Sequence, residues 1–266
     1  MTVTVRLFAV LRERAGSDRM ELQLPDGATV ADALQALSKI PSLAGLLERI
    51  PVQMAVNRDY ASPRTPLGPD DELALIPPLS GGANQSADPS PQANARPREG
   101  VECVAQISDT DARVHVAVTD GRLSLETLAR AVSDPRAGAI VSFQGVTREV
   151  DHLDYEAYSE MARERITLIL RECMTRHGLC AAAAEHRIGS VALGECSVIV
   201  AVSAPHRTEA FAGAREIIDR IKAEAPIWKR EVDSDGLSRR VAGTPAPGAE
   251  VPSATTTRTR RDERGG

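Results

Sequence analysis

The stretch Ile76-Pro77-Pro78-Leu79-Ser80-Gly81-Gly82 decides how the chain divides. A short apolar strand, Leu73 to Ile76, runs into it. After the two glycines the sequence turns to Ala83-Asn84-Gln85-Ser86-Ala87-Asp88-Pro89-Ser90-Pro91. That composition holds no apolar period and reads as a disordered linker. Residues 101–112 are ambiguous and are grouped with it, giving a linker over 83–112. Glycine has no Cβ and takes almost any backbone angle, so a Gly-Gly end fits a tunnel that a side chain would block. A bare Gly-Gly is equally a turn or a linker start, and the flanking segments have to decide.

Upstream, Val3, Val5 and Leu7 alternate with polar residues, as in a half-buried strand. Ala9 to Ala15 reads as a short helical turn stopped by Gly16. Met20, Leu22 and Leu24 alternate again before the turn Pro25-Asp26-Gly27. Thr29 is placed to cap a helix through Val30, Leu34 and Leu37. Val52, Met54 and Val56 form a third strand and Leu73 to Ile76 the fourth. Four strands and one main helix over 1–82 make a small α+β domain.

Downstream, order returns at Arg113. Val114, Val116 and Val118 alternate, a helix follows from Ser124, and Ala139 to Phe143 is an apolar strand that leads into Gly145-Val146-Thr147-Arg148. Leu153 to Tyr158 and Cys196 to Val202 read as strands, and Met161 to His177 as a helix. Ala210, Phe211, Ala214, Ile217, Ile218, Ile221 and Ala225 repeat with a period near 3.6, behind Pro205 and ahead of Pro226. This second unit runs over 113–243. The tail 244–266 is rich in Pro, Thr and Arg and reads as disordered. Its Gly265-Gly266 follows no strand and is taken as tail.

With 266 residues, 42% hydrophobic and 26% charged, the chain has the composition of a globular protein, and its net charge of −5 disfavours bulk nucleic-acid binding. No apolar run approaches the roughly 18 residues of a membrane span. Met1-Thr2-Val3-Thr4-Val5-Arg6 enters a strand directly and resembles no signal peptide, so a cytoplasmic location is expected. Cys103, Cys173, Cys180 and Cys196 form no Cys-x-x-Cys pair, and no metal site is expected. Lysine occurs only as Lys39, Lys222 and Lys229 among 32 basic residues. Unlike arginine, lysine is able to lose its proton and act as a nucleophile.

The helix start at His206-Arg207 offers free N–H groups and two cationic side chains, a phosphate site by geometry. Lys222 falls in that helix's last turn and Lys229 just beyond Pro226. If the fold gathers these residues with Arg148, the result is a basic pocket for a small phosphorylated anion. Crowded cations also favour a neutral, nucleophilic lysine.

Two resemblances sharpen this reading. Val5-Arg6-Leu7-Phe8-Ala9, Leu11-Arg12-Glu13, Val56-Asn57 and Pro77-Pro78-Leu79-Ser80-Gly81-Gly82 resemble the small subunit of molybdopterin synthase, a ubiquitin-like β-grasp sulfur carrier whose last glycine becomes a thiocarboxylate. Gly138 to Gly145, Tyr155-Glu156-Ala157-Tyr158, His186-Arg187-Ile188-Gly189, Ser203 to Arg207 and Ala225 to Glu231 resemble the large, catalytic subunit of the same family. The resemblance implies an α/β hammerhead domain working as a homodimer on cyclic pyranopterin monophosphate. It implies substrate contacts at Val146, Thr147, Arg148, His206, Arg207, Lys222, Lys229, Arg230 and Glu231, with Lys222, Lys229 and Gly82 as catalytic groups and no cofactor.

The expectation is therefore a natural fusion of the two subunits, a sulfurtransferase building the dithiolene of molybdopterin. Gly82 is amide-bonded to Ala83, so a protease must cut there before an activating enzyme adenylates and sulfurates the carrier end. After Arg148 only Glu149-Val150-Asp151-His152 precede Leu153, where the resembled family carries a longer Asn- and Gly-containing loop. That short loop suits an alternative, a non-catalytic assembly protein whose β-grasp domain plugs a synthase pocket; the retained Lys222 and Lys229 oppose it. A carrier for another sulfur pathway, such as thiamine, fits the second domain poorly.

Overall fold

The computed structural model describes residues 1–78 and 113–232, and the backbone of 238–240. Gly82, the 83–112 segment, the 244–266 tail and Cys103 lie outside the described residues, and so do the expectations placed on them.

In the first domain β1 (Thr2–Leu7) buries Val3, Val5 and Leu7 completely, as its alternation requires. It pairs antiparallel with β2 (Arg19–Gln23) and parallel with β5 (Glu72–Ile76). Between β1 and β2 lies α1 (Ala9–Ala15), which ends at Gly16 with φ 74°, a left-handed cap that suits glycine. α2 (Val30–Leu37) begins at Thr29, whose backbone N–H and hydroxyl both donate to the Asp32 carboxylate at 2.8 Å. Val30, Ala33 and Leu37 then pack with Val3, Val5, Leu73 and Leu75.

β3 (Gln53–Val56) and β4 (Asp59–Ala61) complete a sheet of order β2-β1-β5-β3-β4 around α2. This is the expected β-grasp layout with one strand more than the four read from sequence. β4 is three residues long and follows a left-handed turn at Asn57 (φ 51°) and Arg58 (φ 77°), too short to show a period.

The second domain is an α/β unit with two four-stranded sheets. One has the order β6-β9-β11-β7, from β6 (Val114–Thr119), β7 (Ala139–Val146), β9 (Ala181–Arg187) and β11 (Cys196–Ala204). The other has the order β10-β8-β12-β13, from β8 (His152–Ala157), β10 (Gly189–Ala192), β12 (Ile227–Val232) and β13 (Ser238–Arg240). β7 runs through Val146, three residues past its expected end.

Alternation along β9 and β11 divides the first of these sheets between two cores. Ala182, Ala184, Val198, Val200 and Val202 face α4 (Ser159–His177) and α5 (Arg207–Glu224). Ala181, Ala183, Ile199 and Ala201 face α3 (Leu125–Ala131), whose cap Ser124 accepts from Thr127 N–H. Helices on both faces explain why β9 is a run of alanines. On α5 the buried stripe is Ala210, Ala214, Ile217, Ile218 and Ile221; each buried isoleucine is worth about 2 kcal/mol of apolar transfer. Phe211, read from sequence as part of that stripe, is 63% exposed, because it sits roughly 75° from the stripe's centre at 100° per residue.

The two domains share a third core. Phe8, Ala9, Ala55, Ala74 and Ile76 from the first pack on Tyr158, Met161 and Trp228 from the second. Phe8 lies between two rings, with centroids 5.0 Å from Tyr158 and 5.1 Å from Trp228. Three of the chain's seven aromatic residues meet in this stack.

Candidate functional site

β12 carries two chemistries on its two faces. Antiparallel partners directly opposite each other project to the same side of a sheet. Trp228 pairs with Glu156 and Arg230 with Asp154, whereas Lys229 pairs with Tyr155 and Glu231 with Leu153.

The Trp228 side meets the first domain. Trp228 Nε1 donates to Pro77 O at 3.1 Å, one residue past the Ile76 end of β5. Glu156 accepts from Ala9 N–H at 3.2 Å and pairs with Arg12 at 3.1 Å. Arg230 bonds Asp154 at 2.9 Å and reaches Glu13 at 3.8 Å. Arg230, expected in the substrate site, thus lies on the domain interface, opposite in facing to Lys229. Around this centre Arg6 stands 4.7 Å over the Tyr158 ring and 3.6 Å from Glu72, which accepts from the Tyr158 hydroxyl. At the edge Arg58 meets Glu164 at 2.7 Å and Tyr60 donates to Glu224 O at 3.2 Å.

The Lys229 side belongs to the catalytic candidates. Tyr155, opposite Lys229, donates to Ser197 Oγ at 3.2 Å, and Ser197 donates to Gly145 O at 3.2 Å, tying β8 through β11 to β7. Tyr155 meets His186 edge-on at 5.0 Å. His186 is buried, and its Nδ1 sits 2.7 Å from Arg187 O; a carbonyl only accepts, so Nδ1 carries the hydrogen and Nε2 is the ring's acceptor. Burial lowers His186 to about 4, with the Lys222 charge acting in the same direction. Burial likewise pushes the Tyr155 phenol up. Lys222, in the last turn of α5, holds its ammonium 5.5 Å over the Phe143 ring, within cation–π range. Lys222 thus lies over Phe143 and acts on His186, and the Tyr155 that meets His186 edge-on is the cross-strand partner of Lys229, so Phe143, Tyr155 and His186 link the two lysines. The sequence reading gave those three aromatic residues no role; their signal was only their place in the quoted motifs.

The expected phosphate groups do not all converge within one chain. His206 is the N-cap of α5 and Arg207 its first residue, both exposed. At 1.5 Å per residue, Arg207 and Lys222 are about 22 Å apart along the helix. β7 and β11 explain the separation. Ala139 pairs with Ala204 near His206, and Val146 pairs with Cys196 at the far end. Thr147 and Arg148 follow Val146, so they share the end of Lys222. Arg148 is well exposed and contacts Glu149 at 3.6 Å. Thr147 is buried, with its backbone bonded to Glu195 and Gly194 and its hydroxyl unpartnered among the described residues. Val146 is half-exposed on the open side of β7. Among the described residues no group of three or more His, Cys, Asp or Glu is arranged to hold a metal ion, and no helix is long and apolar enough to cross a membrane.

Comparison with known proteins assigns each unit. Residues 5–82 match the ThiS family and residues 118–224 the MoaE protein family. The chain is 48% identical over 122 residues to the molybdopterin synthase catalytic subunit of Oryza sativa subsp. indica, covering 44% of this chain and 63% of that protein. It is 41% identical over 128 residues to the molybdopterin synthase catalytic subunit of Thermoplasma volcanium, covering 46% of this chain and 93% of that protein. A solved structure of molybdopterin synthase from Staphylococcus aureus aligns with 32% identity and a TM-score of 0.44, over 46% of this chain and 93% of that one. The chain thus spans 63% of the rice relative's length and nearly all of the archaeal one. Joined in one polypeptide to a domain that matches the ThiS family, the chain belongs to the family of molybdopterin synthase catalytic subunits.

Proposed function

We propose that the chain is a molybdopterin synthase that carries its own sulfur donor. Sulfur passes from a thiocarboxylate at Gly82, freed by cleavage, to cyclic pyranopterin monophosphate, and two such transfers form the dithiolene of molybdopterin. The observation that carries this reading is the bond from Trp228 Nε1 to Pro77 O. It anchors the root of the carrier tail one residue from Lys229. The five residues from Pro78 to Gly82 span up to about 17 Å when extended, enough to pass from one face of a sheet to the other.

In this reading Lys222 and Lys229 orient the thiocarboxylate and offset the charge that develops as its sulfur bonds to the substrate carbon, while the oxygen held by that carbon departs with its bonding pair and takes up a proton. Water then adds to the Gly82 carbonyl, the acyl–sulfur bond breaks, and the spent carrier leaves with a carboxylate. Val146, Thr147, Arg148, His206, Arg207 and Glu231 form the rest of the substrate site, with the two basic residues at the start of α5 taking the phosphate.

The separation of His206 and Arg207 from Lys222 supports a homodimer as the working unit. β7 is an edge strand of its sheet, with Ile140 and Val146 half-exposed along it. Antiparallel pairing of β7 with the same strand of a second copy brings Arg148 of one protomer to the His206 end of the other. A cytoplasmic location, an activating enzyme that adenylates and sulfurates Gly82, and a protease acting after Gly82 complete the scheme.

The test is intact-mass spectrometry of protein from its native host, beside dithiolene formation by wild-type and Lys222→Ala protein. A fragment ending at Gly82 and about 16 Da heavier than the carboxylate, sulfur replacing oxygen, is expected, with dithiolene formation lost in the variant. Active enzyme containing only uncut chain would exclude the cleavage. A Lys222→Ala protein as fast as wild type would exclude the assigned site.

A further inference from the structure

Six residues, Ala223 to Trp228, connect Lys222 to Lys229, and the first domain holds this connector directly at Glu224 and Trp228 and, through Tyr158 of the second domain, at Pro226. Tyr60 donates to Glu224 O at 3.2 Å. That carbonyl lies in the last turn of α5, where helix geometry leaves acceptors without intrahelical partners. Pro226 O accepts from Tyr158 N–H at 3.1 Å, and the Tyr158 ring and hydroxyl are themselves engaged by Phe8 and Glu72. Trp228 stacks on Phe8 and bonds Pro77 O.

The donor of the Glu224 bond is well fixed. Tyr60 stands on β4, just past the turn at Asn57 and Arg58. Asn57 Oδ1 accepts from Glu72 N–H at 3.0 Å and its Nδ2 donates to Asp71 at 2.8 Å, so the turn is bound to the root of β5. From the other side the Glu224 carboxylate is gripped by Arg220 at 2.7 Å and by Arg165. Within its own domain the end of α5 is held by these ion pairs, and its Glu224 carbonyl takes a donor from the first domain.

We infer that the carrier domain positions the lysine pair as well as delivering sulfur, with Tyr60 as the positioning residue that couples carrier docking to the placement of Lys222. Arrival of the donor and alignment of the lysine then become one event, because an undocked carrier leaves the end of α5 without its cap. This rests on the assignment of Lys222 to the site, but its test contains no sulfur chemistry.

The full-length chain is suited to the test because it holds only three lysines and one tryptophan. Competitive acylation of amines, mapped by peptide mass spectrometry, gives the reactivity of Lys222 relative to Lys39. Trp228 emission reports docking, since that indole stacks on Phe8. In Tyr60→Phe the ratio is expected to change by about twofold or more, the low end of couplings carried through packed networks, with Trp228 emission unchanged. An unchanged ratio overturns the inference. So does a ratio that moves only in step with Trp228 emission, which would make Tyr60 a docking contact and nothing more. Loss of dithiolene formation in Lys222→Ala alongside an unchanged Tyr60→Phe ratio would leave the synthase reading standing and remove only the coupling.

Discussion

Tyr158 of the second domain donates its phenolic hydrogen to the Glu72 carboxylate of the first, and the Arg6 guanidinium contacts both. Burial, followed by the bond to Glu72, pushes the phenol well above its ordinary value, so it stays a donor at neutral pH. Tyr158→Phe keeps the stack on Phe8 and removes only the hydroxyl. Docking is expected to weaken by about 1.5–3 kcal/mol, in the range of hydrogen bonds to charged groups. The check is the urea midpoint of the Trp228 emission change, which falls in the variant if the contact contributes as described. An unchanged midpoint would mean that the Tyr158 hydroxyl contributes nothing to holding the domains together.

His186 gives a pH signature. Its folded value of about 4 lies below the ordinary 6.5, so between those values the unfolded chain binds more protons than the folded one. Stability therefore rises with pH through that window and is lost as pH falls from about 6.5 toward 4, by on the order of 3 kcal/mol. Glu216 and Glu224 are held below their ordinary values and lose their contributions lower in the acid range. His186→Gln should flatten the slope between pH 6.5 and 5 and leave the steeper acid limb. An identical slope in the variant would show that His186 is not the titrating group.

The sequence made the two folded units legible because their signals are local. The alternation of β1, the Thr29 and Ser124 caps, and the period of α5 each depend on neighbours within a turn or two. The register of Trp228 and Lys229 on opposite faces follows from strand alternation, yet which face meets the carrier depends on Phe8 and Tyr158, 150 residues apart in the chain. His206, Arg207 and Lys222 look adjacent as motifs on one helix, but a helix long enough to bury Ala210 through Ile221 carries its ends apart. β4 and the left-handed turn before it were missed for lack of length. Tyr60, whose hydroxyl reaches Glu224, was missed with them.

A shared site predicts complementation between two inactive variants. If Arg148 of one protomer works with Arg207 of the other, Arg148→Ala and Arg207→Ala are each inactive alone. Mixed dimers place both defects in one site and leave the other intact. Random reassortment in a two-fold dimer then returns about a quarter of wild-type activity. Recovery after unfolding and refolding the variants together, read as dithiolene formed per protomer, is the expected result. No recovery despite dimers in sedimentation would place both arginines in a site built by one chain.

Two glycines separate a tolerant from an intolerant approach. A Cβ on Gly145 would stand 2.6 Å from Val198 Cγ1, and one on Gly138 would stand 2.5 Å from the backbone oxygen of Pro205. The first clash is with the end of a side chain, the second with main chain that leads into His206. Gly145→Ala should cost about 1–3 kcal/mol, the usual range for overpacking, and Val198→Ala in the same chain should recover part of it. Gly138→Ala has no side chain to trim. It should displace the turn before α5 and weaken phosphate binding at His206 and Arg207 while leaving the Lys222 acylation rate unchanged. Thermal melts of the three variants, with phosphate titration of Gly138→Ala, check both halves. Rescue failing at Gly145, or phosphate binding intact in Gly138→Ala, would show that the strands shift as a unit to absorb the added carbon.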